Sequence, residues 1–190
     1  IRLGVYKTLW MLGKCPNPAI SVMPLDGDAL ISRSRSRVAT YFLKEGDEEL
    51  LMFLDDDVII STEDATKLMW EAYQLKLPIL GAAYATKSKT KPSMAVRPLP
   101  GTKNIVFGQR GGLIEMQNVS TGCMVIRREV LEKMVETQAV HYCVHAENRY
   151  YPFFQHREML INGIWEDMSE DWFFCQNALS LGFKVWVDTT

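Results

Sequence analysis

Leu50-Leu51-Met52-Phe53-Leu54-Asp55-Asp56-Asp57-Val58 decides how the fold is read. Five apolar residues in a row have the length of a strand and no polar alternation. That predicts a central strand covered on both faces. Three carboxylates end the run. In open α/β sheets, ligands gather at the carboxyl ends of strands. Adjacent carboxylates repel and raise one another's pKa values unless a cation neutralises them. On an extended chain alternate residues point the same way, so Asp55 and Asp57 face one site and Asp56 faces elsewhere. Hard oxygen ligands suit Mg²⁺ or Mn²⁺, ions that commonly take substrate phosphates as their remaining ligands.

Outward from this stretch, strands and helices alternate. Arg2 to Tyr6 and Ala19 to Met23 read as short strands. Leu30 to Leu43 has helical periodicity, with Leu30, Val38, Tyr41 and Phe42 available for one face. Ser61 or Thr62 offers an N-cap to a helix reaching about Leu75, with Glu63 and Asp64 in its first turn. Pro78 to Tyr84 is the next buried strand. Thr86 to Gly112 is polar, rich in Lys, Pro and Gly, and too long for an idle loop. Gly112 to Glu115 and Ser120 to Ile126 read as strands, and Arg128 to Val135 as a helix. Val140 to Ile164 reads as irregular and aromatic-rich. Ser169 opens a helix that ends near Gly182, and Phe183 to Val187 is a strand. This alternation predicts an α/β class with a mostly parallel central sheet flanked by helices.

Composition narrows the function classes. The 190 residues suffice for one domain, spanning 1–190. Lys and Arg number 21 against 23 Asp and Glu, a net charge of −2 that argues against binding nucleic acid by charge alone. No apolar run approaches the roughly 20 residues of a membrane span. The four cysteines, at 15, 123, 143 and 175, include no CxxC pair, which fits free thiols and a cytoplasmic location.

Asp55-Asp56-Asp57 resembles the DxD motif of GT-A type nucleotide-sugar glycosyltransferases, of the family 2-like kind. Four further segments occur in the family's order. Ile31-Ser32-Arg33-Ser34-Arg35-Ser36 is similar to the Arg-rich helix ahead of the DxD strand, with Ser36 where the family has Asn. Gly81-Ala82-Ala83-Tyr84-Ala85-Thr86-Lys87 is similar to a G-x-x-Y-P-x-K segment, with Ala85 in place of Pro. Thr121 to Arg128 resembles a strand and helix start. Ser169-Glu170-Asp171-Trp172-Phe173-Phe174-Cys175, followed by Leu181 to Asp188, resembles the block that carries the acidic pair.

The resemblance implies a single GT-A, Rossmann-like domain. It implies transfer of a sugar from a UDP- or GDP-sugar to a hydroxyl of a carbohydrate or other acceptor, with Mn²⁺ or Mg²⁺. Asp57 and Asp55 would bind the metal. Arg35, Arg33, Asp55, Asp56 and Lys87 would contact the nucleotide, Arg35 matching the family's Arg most closely. In inverting members the Asp of the acidic pair is the general base, which assigns that role to Asp171. Glu170 would orient the acceptor. A His shortly after the last strand often completes the metal site in this family, and none follows here before Thr190, so the domain is expected to be cut close to its C-terminal edge.

The residues themselves add detail. Residues 33 and 37 are one helical turn apart and share a face, while 35 points away. Lys87, Lys89, Lys91, Arg97 and Lys103 make the 86–112 segment basic, suited to closing over a diphosphate. Tyr150-Tyr151-Pro152-Phe153-Phe154 and Trp165 could stack on sugars or belong to the core. His141, Cys143, His145 and His156 match no zinc-finger spacing. Cys123 and Cys175 sit in apolar patterns and read as inert core thiols. Two other functions stand beside the glycosyltransferase reading. One is a non-catalytic nucleotide- or sugar-binding module. The other is a nucleotidyltransferase, for which no Gly-rich N-terminal phosphate loop is present.

Overall fold

The computed structural model describes residues 9, 11–14, 20–23, 28–85, 94–108, 110–145, 148–161 and 163–190. The expected strand at Arg2 to Tyr6, residue 19, and Lys87, Lys89 and Lys91 lie outside them; residues 20–23, expected to be strand, are irregular. Four helices are present among the described residues: α1 (Ile31–Glu45), α2 (Thr62–Gln74), α3 (Arg128–Glu136) and α4 (Glu170–Ser180). The strands are β1 (Leu50–Leu54), β2 (Ile79–Ala82), β3 (Val96–Pro98), β4 (Leu113–Val119), β5 (Cys123–Arg127), β6 (Cys143–His145), β7 (Asn148–Tyr150), β8 (Arg157–Ile161), β9 (Ile164–Met168) and β10 (Val185–Asp188).

Six strands form one sheet in the order β1-β5-β2-β10-β4-β3. Only β2 and β10 pair in parallel; β1 with β5, β5 with β2, β10 with β4, and β4 with β3 are antiparallel. The sheet is therefore mixed and mostly antiparallel. This corrects the expectation of a mostly parallel, Rossmann-like GT-A sheet. The physical reason is that a run buried on both faces reads the same whichever way its neighbours point. β5 lies between β1 and β2 and runs against both, so the helical crossover from β1 to β2 skips a place. Three residues, Ser120 to Gly122, separate β4 from β5, too few for a helix. β1 also departs from the central position expected of it: among the described residues it pairs with β5 alone.

The register still aligns three strands usefully. Because β5 opposes both β1 and β2, and β10 runs with β2, the carboxyl ends of β1, β2 and β10 share one edge. The start of β5 lies at that same edge, with Leu54 opposite Cys123.

Both sheet faces are covered. On one, Ala39 and Phe42 of α1, Val130, Leu131 and Met134 of α3, and Phe174 and Ala178 of α4 join Ile79, Met124, Ile126 and Val185. On the other, Leu68 and Ala72 of α2 cover Leu80 and Val125. An aromatic chain ties α4 to β1. Phe174 stacks on Phe154 with ring centroids 4.6 Å apart, and Phe154 meets the edge of Phe53 at 5.4 Å. Offset and edge-on pairs like these add about 1 kcal/mol each beyond their burial. Phe154 is clamped to α1 as well: Ser36 Oγ donates to its carbonyl at 3.2 Å and accepts from its amide at 3.1 Å. In the 150–154 stretch Tyr150 ends a strand, Tyr151 and Pro152 are half-buried, and Phe153 and Phe154 are core.

The 140–164 stretch, expected to be irregular, contains two hairpins. β6 pairs with β7, and β8 pairs with β9 in the register Ile161 opposite Ile164. The Asn-Gly dipeptide at 162–163 between them is a strong hairpin signal in the sequence.

Candidate functional site

β1 stops at Leu54, and the next residues turn rather than extend. The Asp55 amide still donates to the Gly122 carbonyl at 2.9 Å, continuing the ladder to β5 by one bond. The Val58 amide then donates to the Asp55 carbonyl at 3.2 Å, closing a tight turn. The strand alternation expected for Asp55 and Asp57 therefore does not govern their directions. Asp56 is exposed, while Asp55 and Asp57 are half-buried.

Arg35 gathers the acids. It lies on the inward side of α1 and is buried. Its Nη2 donates to both oxygens of Asp55 at 2.9 and 2.8 Å, and its Nη1 to Glu170 Oε1 at 2.5 Å. A rigid guanidinium fork suits such paired carboxylates. Three segments quoted from the sequence thus meet, although Arg35 stands 20 residues from Asp55 and 135 from Glu170.

Asp171 sits one residue further into α4 and is buried. Its Oδ1 accepts from the Ser169 hydroxyl and, at 2.8 Å, from the Trp172 amide. The Ser169 hydroxyl is spent on this carboxylate and makes no cap bond to the helix backbone. Tyr84, just past β2, is pushed up to about 12, first by burial and further by the charges of Asp55 and Asp171. Its hydroxyl rests so close to Gly122 that a Cβ there would lie 2.2 Å from it, so the turn into β5 requires glycine.

Beside this group lies a cavity of about 210 Å³ lined by Val58, Ile60, Lys67, Tyr84, Cys123 and Asp188, among others. Arg35, Glu170 and Asp171 are not on its wall, so it adjoins the acidic group and shares Tyr84 with it. Lys67 Nζ donates to Asp188 Oδ2 at 2.8 Å and contacts the Thr190 hydroxyl. Burial alone would raise the Asp188 pKa, but the bonds from Lys67 and Thr190 outweigh it and hold the carboxyl below its ordinary value. Lys67 is raised, chiefly by its bond to Asp188. Lys67, Tyr84 and Asp188 carry no role in the reading of the sequence. The last two lie inside quoted segments, but the Lys67–Asp188 pair spans 121 residues and leaves no local pattern.

The remaining expected contacts are placed elsewhere. Arg33 turns to the outward side of α1, where it binds Asp28 through three hydrogen bonds of 2.8 to 3.2 Å and meets His145 Nε2 at 3.0 Å. Arg37 approaches the same Asp28 at 3.6 Å. The shared face of 33 and 37, with 35 opposite, is as the helical spacing predicts. Arg97, from the basic 86–112 segment, lies over the Trp172 ring at 5.3 Å and pairs with Glu166 at 3.5 Å. Trp165 is 70% exposed, whereas Phe153 and Phe154 are core. Burial pushes the thiols of Cys123 and Cys175 up to about 12, in keeping with inert core cysteines.

Among the described residues, no three His, Cys, Asp or Glu side chains gather closely enough to cage a metal ion. No described helix is long and apolar enough to cross a membrane.

No protein-family model matches the sequence, and no curated protein does. Among solved structures, the crystal structure of A197 from STIV superposes with a TM-score of 0.56 at 17% identity, over 95% of this chain and 74% of that one. At that identity the likeness is one of fold alone.

Proposed function

We propose that the chain transfers a sugar from a nucleotide-diphosphate sugar to an acceptor hydroxyl, with inversion. The observation that carries this reading is the meeting of Arg35, Asp55 and Glu170, with Asp171 adjacent, at one edge of the sheet. Asp171 Oδ1 is held by Ser169 and Trp172, which fixes the carboxylate and leaves Oδ2 to work. Oδ2 takes the proton of the acceptor hydroxyl as that oxygen bonds the anomeric carbon and the bond from carbon to diphosphate breaks. Glu170, pinned by Arg35, orients the acceptor side.

The donor set fits Mg²⁺ or Mn²⁺ carried in with the nucleotide. Such ions use one or two carboxylates and fill their shell with phosphate oxygens and water, so they need no protein cage. Asp57 and Asp55 are the residues to hold it. When bound, the ion offsets the negative charge that builds on the leaving diphosphate.

The test is a thermal-shift titration of UDP- and GDP-sugars with and without Mn²⁺, since a ligand of the folded state raises apparent stability. Wild type should bind in a metal-dependent way, and Asp57→Ala should lose that dependence. Asp171→Asn should keep binding but lose turnover by about 10²-fold or more. Metal-independent binding, unchanged in Asp57→Ala, would sink the proposal. One observation favours a second reading, a non-catalytic binding module: Arg35 already engages Asp55 and Glu170. That reading expects binding with no turnover at any metal concentration.

A further inference from the structure

The outward side of α1 holds a second cavity, of about 300 Å³, walled by Arg37, Lys44, Arg149, Glu45, Val38 and Tyr41. Three cations line it against one acid. In a chain whose net charge is −2, that local surplus runs against the whole. Like charges around one cavity repel, and the cost is relieved when an anion shares the space.

Among the described residues, few carboxylates serve these cations. Arg37 has Asp28 at 3.6 Å as its acidic partner. That carboxylate is already taken by the bonds from Arg33 and by the Leu30 amide at 3.0 Å. Arg149, on β7, has no acidic partner among the described residues and is exposed. Lys44 donates to the Tyr142 hydroxyl and lies 4.1 Å from that ring's centre, which steadies the ammonium without neutralising it. Two guanidinium groups and an ammonium around one space suit a phosphate, since guanidinium matches its oxygens in pairs. Val38 and the half-exposed ring of Tyr41 give the wall an apolar side. A bare ion would leave that side unused, whereas the carbon skeleton of an organic phosphate would cover it.

We propose that Arg37, Lys44 and Arg149 form a binding site for a small organic phosphate monoester, on the opposite side of α1 from Asp55 and Glu170. The experiment titrates glucose 6-phosphate, with glucose as control, into the metal-free protein at low salt. Calorimetry and backbone amide shifts are read together. Saturable binding of the phosphate and none of glucose is expected, with shifts at residues 37–45 and 148–150. The variant R37Q/R149Q should weaken binding by about tenfold or more, the size of losing a charge-assisted hydrogen bond. If that variant is not folded, Arg149→Gln alone, at an exposed position, is expected to weaken binding by about threefold or more for the same reason. Raising the salt should weaken the wild type more steeply than the variant. No saturable binding, undiminished binding by the variants, or shifts confined to residues 55–57 and 170–171 would overturn the proposal.

Discussion

On one side of α1 a single guanidinium, Arg35, serves two carboxylates; on the other, two guanidinium groups, Arg33 and Arg37, share one. The first side is buried and roofed by Phe154 and the start of α4, and the second opens to solvent beside β7. Each side is left with a surplus of opposite sign. Among the described residues, Arg35, Asp55 and Glu170 together have one carboxylate charge too many, before Asp171 is counted. The outward group has one cation too many, before Lys44 and Arg149 are counted. Three arginines at alternate positions of one helix therefore do different work, and what decides it is how many acids the fold brings to each.

The largest expected effect comes from emptying the inward side. Arg35→Ala leaves Asp55 and Glu170 facing each other with no cation between them. Removing the buried cation shared by two part-exposed carboxylates costs about 2 kcal/mol, the size of lost hydrogen bonds to charged groups. A urea unfolding midpoint should fall accordingly, and Arg35→Lys should recover part of it, because one point charge cannot fork to both acids. A stability equal to wild type in Arg35→Ala would break the comparison.

Next in size is an alkaline effect that reads the surplus of negative charge. The folded-state pKa of Tyr84 is raised to about 12, by burial first and by Asp55 and Asp171 after it. The neutral phenol is the form the fold favours. Its contribution is fully present below the ordinary tyrosine pKa of about 10 and is lost as pH climbs toward the folded value. Tyr84→Phe should remove a component of the ultraviolet phenolate rise above about pH 11 and flatten the loss of stability there.

The smallest effect belongs to the outward side. The hydrogen bonds from Arg33, then the Leu30 amide, hold the Asp28 carboxyl well below the usual carboxylate range. A depressed carboxylate stabilises above its unfolded pKa, near 4, and loses that contribution as pH falls toward the folded value. Asp28→Asn should therefore lose the contribution present at neutral pH and, with it, part of the acid dependence of stability below about pH 4, so that variant and wild type converge in acid. A neutral-pH loss larger than that of Arg35→Ala would mean that this side carries more of the fold than the inward one.

Much of this contrast was legible in the chain. The helical period alone separates residue 35 from 33 and 37, and the acidic stretches at 55–57 and 170–171 stand out from their surroundings. Strand direction was not legible, because Leu50 to Leu54 and Ile79 to Ala82 carry no mark of which way a neighbour runs. Nor were the partners. Asp28 near the start of α1 looks like any turn acid until Arg33 folds back on it. Lys67 and Asp188 find each other only when β10 lies down beside β2. The β8–β9 hairpin carries a turn signal in Asn162-Gly163, yet the aromatic-rich stretch that leads to it reads as irregular.

β10 is the last of the six sheet strands in the sequence, yet it lies between β2 and β4. Without it the sheet is two fragments, β1-β5-β2 and β4-β3. The middle of this sheet can be joined only after its five other strands have been made, so the order of synthesis is not the order of assembly. Long-range pairing of this kind pays its loop-closure entropy before any contact repays it, and it is slow for that reason. Until Val185 to Asp188 arrive, the open edges of β2 and β4 are unpaired, and a growing chain must keep them from finding other partners.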